Sequence, residues 1–164
     1  MLKRCFFIGH RDTRDDVFSE LLNVVRMHVE MHGAREFIVG RYGNFDKLAA
    51  KAVNQIKKSH PEITLTLLCP YHPGMRVVRL PKGFDSTLYP FNKPVPYRLA
   101  IVLANEKAID MCDYLIAFVN HPGKSKGFLE LATQREKKGR IRITNLGQFD
   151  PKQLDENGDV SDSE

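Results

Sequence analysis

The chain has 164 residues, 42% of them apolar and 27% charged, with 25 lysines and arginines against 20 acids. This length and composition predict one soluble domain with a hydrophobic core, and they exclude a chain that is disordered throughout. No apolar run approaches the roughly 18 residues that span a bilayer, and the apolar part of the first ten residues is too short for a signal peptide, so we expect no membrane partner.

The first part of the chain alternates between predicted strands and predicted helices. Short apolar runs that end at glycine or proline predict strands, and apolar residues that recur every three or four positions predict helices. In chain order these elements are a strand at Lys3–Ile8, a helix at Arg14–His32, a strand at Glu36–Val39, a helix at Phe45–Lys58 and a strand at Ile63–Leu68.

The second part of the chain begins with a proline-rich segment, residues 70–96, which holds six of the nine prolines. We expect an irregular excursion there, with at most a short helix or an edge strand. The elements predicted after it are a helix at Tyr97–Met111, a strand at Asp113–Val119, a helix at Phe128–Lys138 and a strand at Arg140–Leu146.

This alternation predicts an α/β fold with a mostly parallel central sheet between two helical layers, formed by residues 1–149 as a single domain. Residues 150–164 carry six acids and one base, a net charge of −5, which leaves +10 on the rest of the chain. We expect these last residues to be a disordered, solubilising tail, or alternatively an internal competitor for an anion site.

Metal-ligating residues form no convincing pattern. His28 and His32 lie four apart but do not form H-E-x-x-H, and Cys69 with His72 has no second pair. The three cysteines are odd in number and far apart, which argues against disulfides and for a reducing compartment. We therefore expect a cytoplasmic protein with no metal and no resident cofactor.

Glycine-containing loops follow the first, second and fourth predicted strands. In parallel sheets, ligands bind beyond the carboxyl ends of the strands, where the strand order reverses. Backbone N–H groups at a helix N-terminus can hold a phosphate there, and arginine or lysine supplies the counter-charge. The candidate ligand-binding residues in these loops are Gly9, His10, Arg11, Gly40, Arg41, Gly43, Asp46, Gly123, Lys124, Ser125, Lys126 and Gly127.

The third loop contains Gly123-Lys124-Ser125, which is reminiscent of a P-loop. The motif G-x-x-x-x-G-K-[ST] requires a glycine at position 118, where this chain has Phe118. The loop could therefore bind the phosphate group of a ligand without catalysing hydrolysis. For the first two loops, the alternative is a strand-to-helix turn whose polar residues only cap the helix.

Four segments of the chain together resemble the YpsA-like branch of the SLOG superfamily. They are residues 5–11 (CFFIGHR), 38–49 (IVGRYGNFDKLA), 65–71 (LTLLCPY) and 105–127, the last containing CDYLIAFV at 112–119 and the glycine loop. The resemblance covers most of residues 1–146 in order. It implies a Rossmann-like three-layer sandwich whose carboxyl-edge loops hold a nucleotide or a nucleotide-derived ligand.

The wider superfamily includes LOG-type phosphoribohydrolases, which release a base from a nucleoside monophosphate and carry P-G-G-x-G-T-x-x-E. Here Lys124 replaces the second glycine and, when Gly127 is aligned with the third glycine, Phe128 replaces the threonine and Glu130 falls one residue early. One residue of helix rotates a side chain by about 100°, which would turn Glu130 away from such a site.

The function expected from the resemblance is binding or sensing of a phosphate-bearing, nucleotide-like small molecule. LOG-type cleavage is the first alternative, with Asp46 or Glu130 as acid or base. The superfamily also includes DprA-type proteins, so single-stranded nucleic-acid binding is the second alternative, ranked lower because the basic residues are spread along the chain. A homo-oligomer is a further possibility.

Overall fold

The computed structural model describes residues 2–147 and places six strands in one sheet, all of them parallel. The predictions for the acidic tail concern residues outside this range. The strands are β1 (Lys3–Gly9), β2 (Ala34–Val39), β3 (Thr64–Leu68), β4 (Ser86–Leu88), β5 (Tyr114–Phe118) and β6 (Arg142–Asn145).

Four α-helices connect the strands, and a short 3₁₀ turn precedes two of them. The 3₁₀ turns are at Asp15–Val17 and Tyr97–Leu99. The helices are α1 (Phe18–Glu30), α2 (Asn44–Lys57), α3 (Ala100–Met111) and α4 (Lys124–Lys137).

The helices cover both faces of the sheet, because alternate side chains of each strand point to opposite faces. On one face Cys5 and Phe7 of β1 lie in the core with α1 and α2. On the other face Phe6 and Ile8 lie with α3 and α4. This confirms the predicted three-layer α/β fold with a parallel central sheet.

The strand order, β4-β3-β2-β1-β5-β6, places β1 at the centre of the sheet. The chain first adds β2, β3 and β4 on one side of β1, and then crosses to add β5 and β6 on the other side. The order therefore reverses between β1 and β5, and this position at the carboxyl ends is where ligands bind in such sheets.

Several boundaries differ by a few residues from the sequence prediction, the largest differences being at the starts of two helices. Helix α4 begins at Lys124 and not at Phe128, because a first turn of polar residues and glycine carries no apolar periodicity. Helix α1 begins at Phe18, after the 3₁₀ turn, and not at Arg14. In the proline-rich segment the structure forms only the short edge strand β4, within what the sequence allowed.

Candidate ligand-binding site

The three glycine-containing loops meet at the carboxyl edge of the sheet. The hydroxyl of Ser125, in the first turn of α4, donates a hydrogen bond to the carbonyl of Gly9 at 2.8 Å. The Arg11 Nε donates to the Tyr42 carbonyl at 2.9 Å, and the Asn44 N–H donates to the Arg11 carbonyl at 2.9 Å. These bonds join the ends of β1, β2 and β5 into one surface.

Two glycines allow the first two loops to approach each other. A Cβ at Gly9 would overlap the buried ring of Phe45 in α2. A Cβ at Gly43 would lie 2.5 Å from the Arg11 Cα. Both glycines therefore have a packing role in this fold, in addition to the turn or the approach to a ligand that the sequence suggested.

A cavity of about 430 Å³ opens at the joined edge, between the ends of β1, β2 and β3 and the helices α2, α3 and α4. We call it the edge cavity. Its residues are Phe7, Ile8, Gly9, His10, Arg11, Asp12, Gly40, Tyr42, Asp46, Leu68, Pro70, Ile101, Ala104, Asn105, His121, Lys124, Ser125 and Phe128.

The first turn of α4 faces the edge cavity with Lys124 and Ser125. The first N–H groups of a helix have no partner within the helix, and the helix dipole makes this end positive. Together with Lys124, and with Arg11 on the facing loop, the turn provides the donors and positive charge that bind a phosphate.

Asp46 adds a carboxyl group in the first turn of α2. The Tyr42 N–H donates to its Oδ2 at 3.0 Å. Burial raises the pKa of Asp46 from 3.8 to about 6, although the hydrogen bond from Tyr42 lowers it in part. Near neutral pH the group can therefore either accept hydrogen bonds or exchange a proton.

His10 and His121, which also line the edge cavity, form a stacked pair with ring centroids 3.6 Å apart. The Asn120 N–H donates to the His10 Nε2 at 3.1 Å, which requires this nitrogen to be unprotonated. Burial, and then the neighbouring His121, lower the pKa of His10 to about 4. His10 is therefore a neutral imidazole at physiological pH.

Seven of the twelve predicted ligand-binding residues line the edge cavity: Gly9, His10, Arg11, Gly40, Asp46, Lys124 and Ser125. The remaining five lie elsewhere. Arg41 lines a neighbouring cavity, Gly43 packs on Arg11, and Gly123 directly precedes α4. Gly127 and Lys126 lie inside α4 and do not line the cavity.

Of the two candidate catalytic residues, only Asp46 lines the edge cavity. Glu130 lies 3.5 Å from the Lys126 ammonium, one helical turn away, and is about half exposed. Glu130 therefore lies on the outer surface of α4, outside the edge cavity.

Several cavity residues were not predicted from the sequence. Tyr42 and His121 lie in two of the inspected loops, and only their place in the fold reveals their role. Ile101 and Asn105 come from α3; Asn105 is the first residue of the last resembling segment, but neither residue was predicted to bind a ligand. No signal in a single sequence connects them to the three loops.

Within residues 2–147, no group of three or more histidine, cysteine or acidic side chains could hold a metal ion. No helix in the same range is long and apolar enough to cross a membrane. The polar groups that the site itself provides are its backbone donors, Arg11, Lys124, Asp46 and the histidine pair.

The chain is similar to known proteins in its fold. No protein-family model matches the chain, and no curated protein does. Among solved structures, DNA processing protein A from Helicobacter pylori has a TM-score of 0.58 at 15% identity, over 95% of this chain and 73% of that one.

Two structures of the molybdenum cofactor carrier protein from Chlamydomonas reinhardtii also match, both at 14% identity. The first has a TM-score of 0.53 and covers 90% of this chain and 77% of the carrier protein. The second has a TM-score of 0.52 and covers 96% of this chain and 86% of the carrier protein. At these identities the likeness establishes the fold alone. The chain has a Rossmann-like α/β fold.

Proposed function

We propose that this protein binds or senses a phosphate-bearing nucleotide, or a nucleotide-derived ligand, in the edge cavity, as a member of the YpsA-like branch of the SLOG superfamily. One observation carries the proposal. The cavity lies where the strand order reverses, and it brings the first turn of α4, Lys124 and Arg11 together with the carboxyl group of Asp46. A cytoplasmic location and a homo-oligomeric state are part of the same hypothesis.

The parts of the cavity suit the parts of a nucleotide. The phosphate would lie at the first turn of α4, between Lys124 and Arg11. The Asp46 carboxylate would accept a hydrogen bond from a ribose hydroxyl. Ile101 and Phe128 provide an apolar wall for the base, which gains affinity from burial and stacking.

Calorimetry with a panel of mononucleotides and cyclic dinucleotides tests the proposal. We expect wild type to bind at least one of them, and Lys124→Ala to weaken binding about tenfold by removing a charged donor. Lys137→Ala, at the far end of the same helix, is the matched control and should bind like wild type. Absence of wild-type binding at high micromolar concentration would contradict the proposal.

The first alternative is cleavage of the N-glycosidic bond of a nucleoside monophosphate. It is favoured by the pKa of about 6 at Asp46, which suits a general acid or base. Chromatography should then detect free base released from a nucleoside monophosphate by wild type. This release should be abolished in Asp46→Ala and retained in Glu130→Ala. The position of Glu130 outside the cavity supports binding over hydrolysis.

The second alternative is single-stranded nucleic-acid binding. The structure of DNA processing protein A from Helicobacter pylori, which shares the fold, is described by its mode of binding single-stranded DNA. A basic net charge of +10 over residues 1–149 is compatible with this activity. It predicts an affinity that falls steeply with salt concentration and rises with strand length.

A further inference from the structure

A second cavity, also of about 430 Å³, lies directly beside the edge cavity. The two share three lining residues, Tyr42, Leu68 and Pro70. Tyr42 thus forms part of the boundary between them. The second cavity is formed by the loop after β2 and by the start of the proline-rich segment; we call it the arginine cavity. Its other residues are Arg41, Cys69, Tyr71, Arg76, Val77, Val78 and Arg79.

The charge of the arginine cavity is entirely positive. Arg41, Arg76 and Arg79 line it, and its lining contains no acidic side chain. Among the ion pairs formed by residues 2–147, none includes any of these three arginines. Guanidinium groups that converge without a carboxylate favour an anion, and their planar donors match the geometry of a phosphate.

Aromatic rings hold one of these arginines in place. Tyr71 and Tyr97 stack with ring centroids 4.7 Å apart, and the Arg76 guanidinium lies 4.4 Å from the centre of the Tyr71 ring. Arg76 also donates a hydrogen bond to the Tyr97 hydroxyl at 2.9 Å. A guanidinium that is fixed in this way loses less conformational entropy on binding.

We propose that the arginine cavity takes the second phosphate-bearing unit of the ligand bound in the edge cavity, so that the ligand is a dinucleotide. The proposal rests on the proposed function. One nucleotide would occupy the edge cavity and the chain of the ligand would pass Tyr42. The second phosphate would then meet Arg76 and Arg79, while the Tyr71 ring, which lines the cavity, offers an aromatic contact to the second base.

Calorimetry on the full chain at one fixed salt concentration tests this assignment. The probes are the four ribonucleoside 5′-monophosphates and the four matching 5′-phosphorylated dinucleotides. We expect the best dinucleotide to bind at least tenfold more tightly than its mononucleotide. In Arg76→Ala/Arg79→Ala that advantage should fall to about twofold or less, with mononucleotide affinity unchanged. Both arginines are exposed, so the variant should fold.

Arg140→Ala/Arg142→Ala is the matched control, because it removes the same charge from the amino end of β6. It should retain the preference for the dinucleotide. Equal affinity of wild type for the two probe lengths would overturn the dinucleotide assignment and leave the proposed function standing.

Three further outcomes would also overturn it. One is equal weakening of both probes in the arginine variant, and another is an affinity that keeps rising from dinucleotide to dodecanucleotide. Binding of neither probe would contradict the proposed function, and the dinucleotide assignment with it.

Discussion

The rings of His10 and His121 lie parallel, with centroids 3.6 Å apart and an angle of 10° between their planes. The pair joins the loop after β1 to the loop after β5, across the position where the strand order reverses. Since His10 is buried and its Nε2 accepts a hydrogen bond from the Asn120 N–H, the pair is compatible only with a neutral His10.

The first prediction is that His10 makes folding sensitive to acid. The pKa of His10 is about 4 in the folded protein and about 6.5 in the unfolded chain. The contribution of neutral His10 to the free energy of unfolding is therefore complete above pH 6.5 and is lost as the pH falls towards 4. Between pH 7 and pH 5 this loss amounts to about 2 kcal/mol in the free energy of unfolding.

Urea unfolding of wild type and His10→Asn at pH 7 and pH 5 measures this loss. The variant should lose about 2 kcal/mol less than wild type on acidification. His72→Asn, outside the pair, should behave like wild type. Identical pH dependence in wild type and His10→Asn would show that His10 accepts a proton in the folded state.

Asp46 is predicted to have the opposite effect. Because burial raises its pKa from 3.8 to about 6, the ionised group destabilises the fold above pH 6, and stability is regained as the pH falls from 6 to 4. Asp46→Asn should therefore raise the free energy of unfolding at pH 7 by about 1–2 kcal/mol, since an amide oxygen can still accept the Tyr42 N–H.

The difference in the free energy of unfolding between Asp46→Asn and wild type should decrease as the pH falls from 6 to 4. Urea unfolding at several pH values measures this difference. Asp16→Asn is the control, because Asp16 is exposed and its ion pair with Arg14 lies at the surface. Destabilisation of Asp46→Asn at pH 7 would show that the ionised carboxylate is better solvated than its position indicates.

The third prediction concerns two glycines with opposite surroundings. Gly9→Ala places a methyl group where the Phe45 ring lies. Because the core is already fully packed, this substitution should lower the free energy of unfolding by about 1–3 kcal/mol. Gly127→Ala meets no atom within 4 Å inside α4 and should stabilise the protein by about 0.5–1 kcal/mol.

Thermal unfolding of the two glycine variants under identical conditions compares the same chemical change at the two sites. The melting temperature should fall for Gly9→Ala and rise for Gly127→Ala. A neutral Gly9→Ala variant would mean that β1 and α2 can separate at low cost, and would remove the packing role assigned to this glycine.

The sequence predicted the order of the elements because buried strands such as β1 are short apolar runs that end at a turn. It did not predict the start of α4, since residues 124–127 are polar and are held by a hydrogen bond to Gly9 that spans 116 positions. The same reason explains why the approach of Arg76 to Tyr97 was not expected. Such contacts depend on tertiary packing, whereas periodicity reports only local structure.

The last prediction concerns the hydrogen bond from Ser125 to the Gly9 carbonyl, which links the first turn of α4 to the end of β1. Ser125→Ala should lower the free energy of unfolding by about 1 kcal/mol. It should also weaken nucleotide binding about three- to tenfold, because the donors of the turn are no longer held against the loop.

Thr133→Ala is the matched control for Ser125→Ala. Its hydroxyl donates at the same distance of 2.8 Å, but to the Leu129 carbonyl within α4. It should therefore change stability only slightly and leave nucleotide affinity unchanged in calorimetry. If both variants lose affinity equally, the effect lies in the stability of the helix, and the bond to Gly9 has no specific part in positioning the phosphate site.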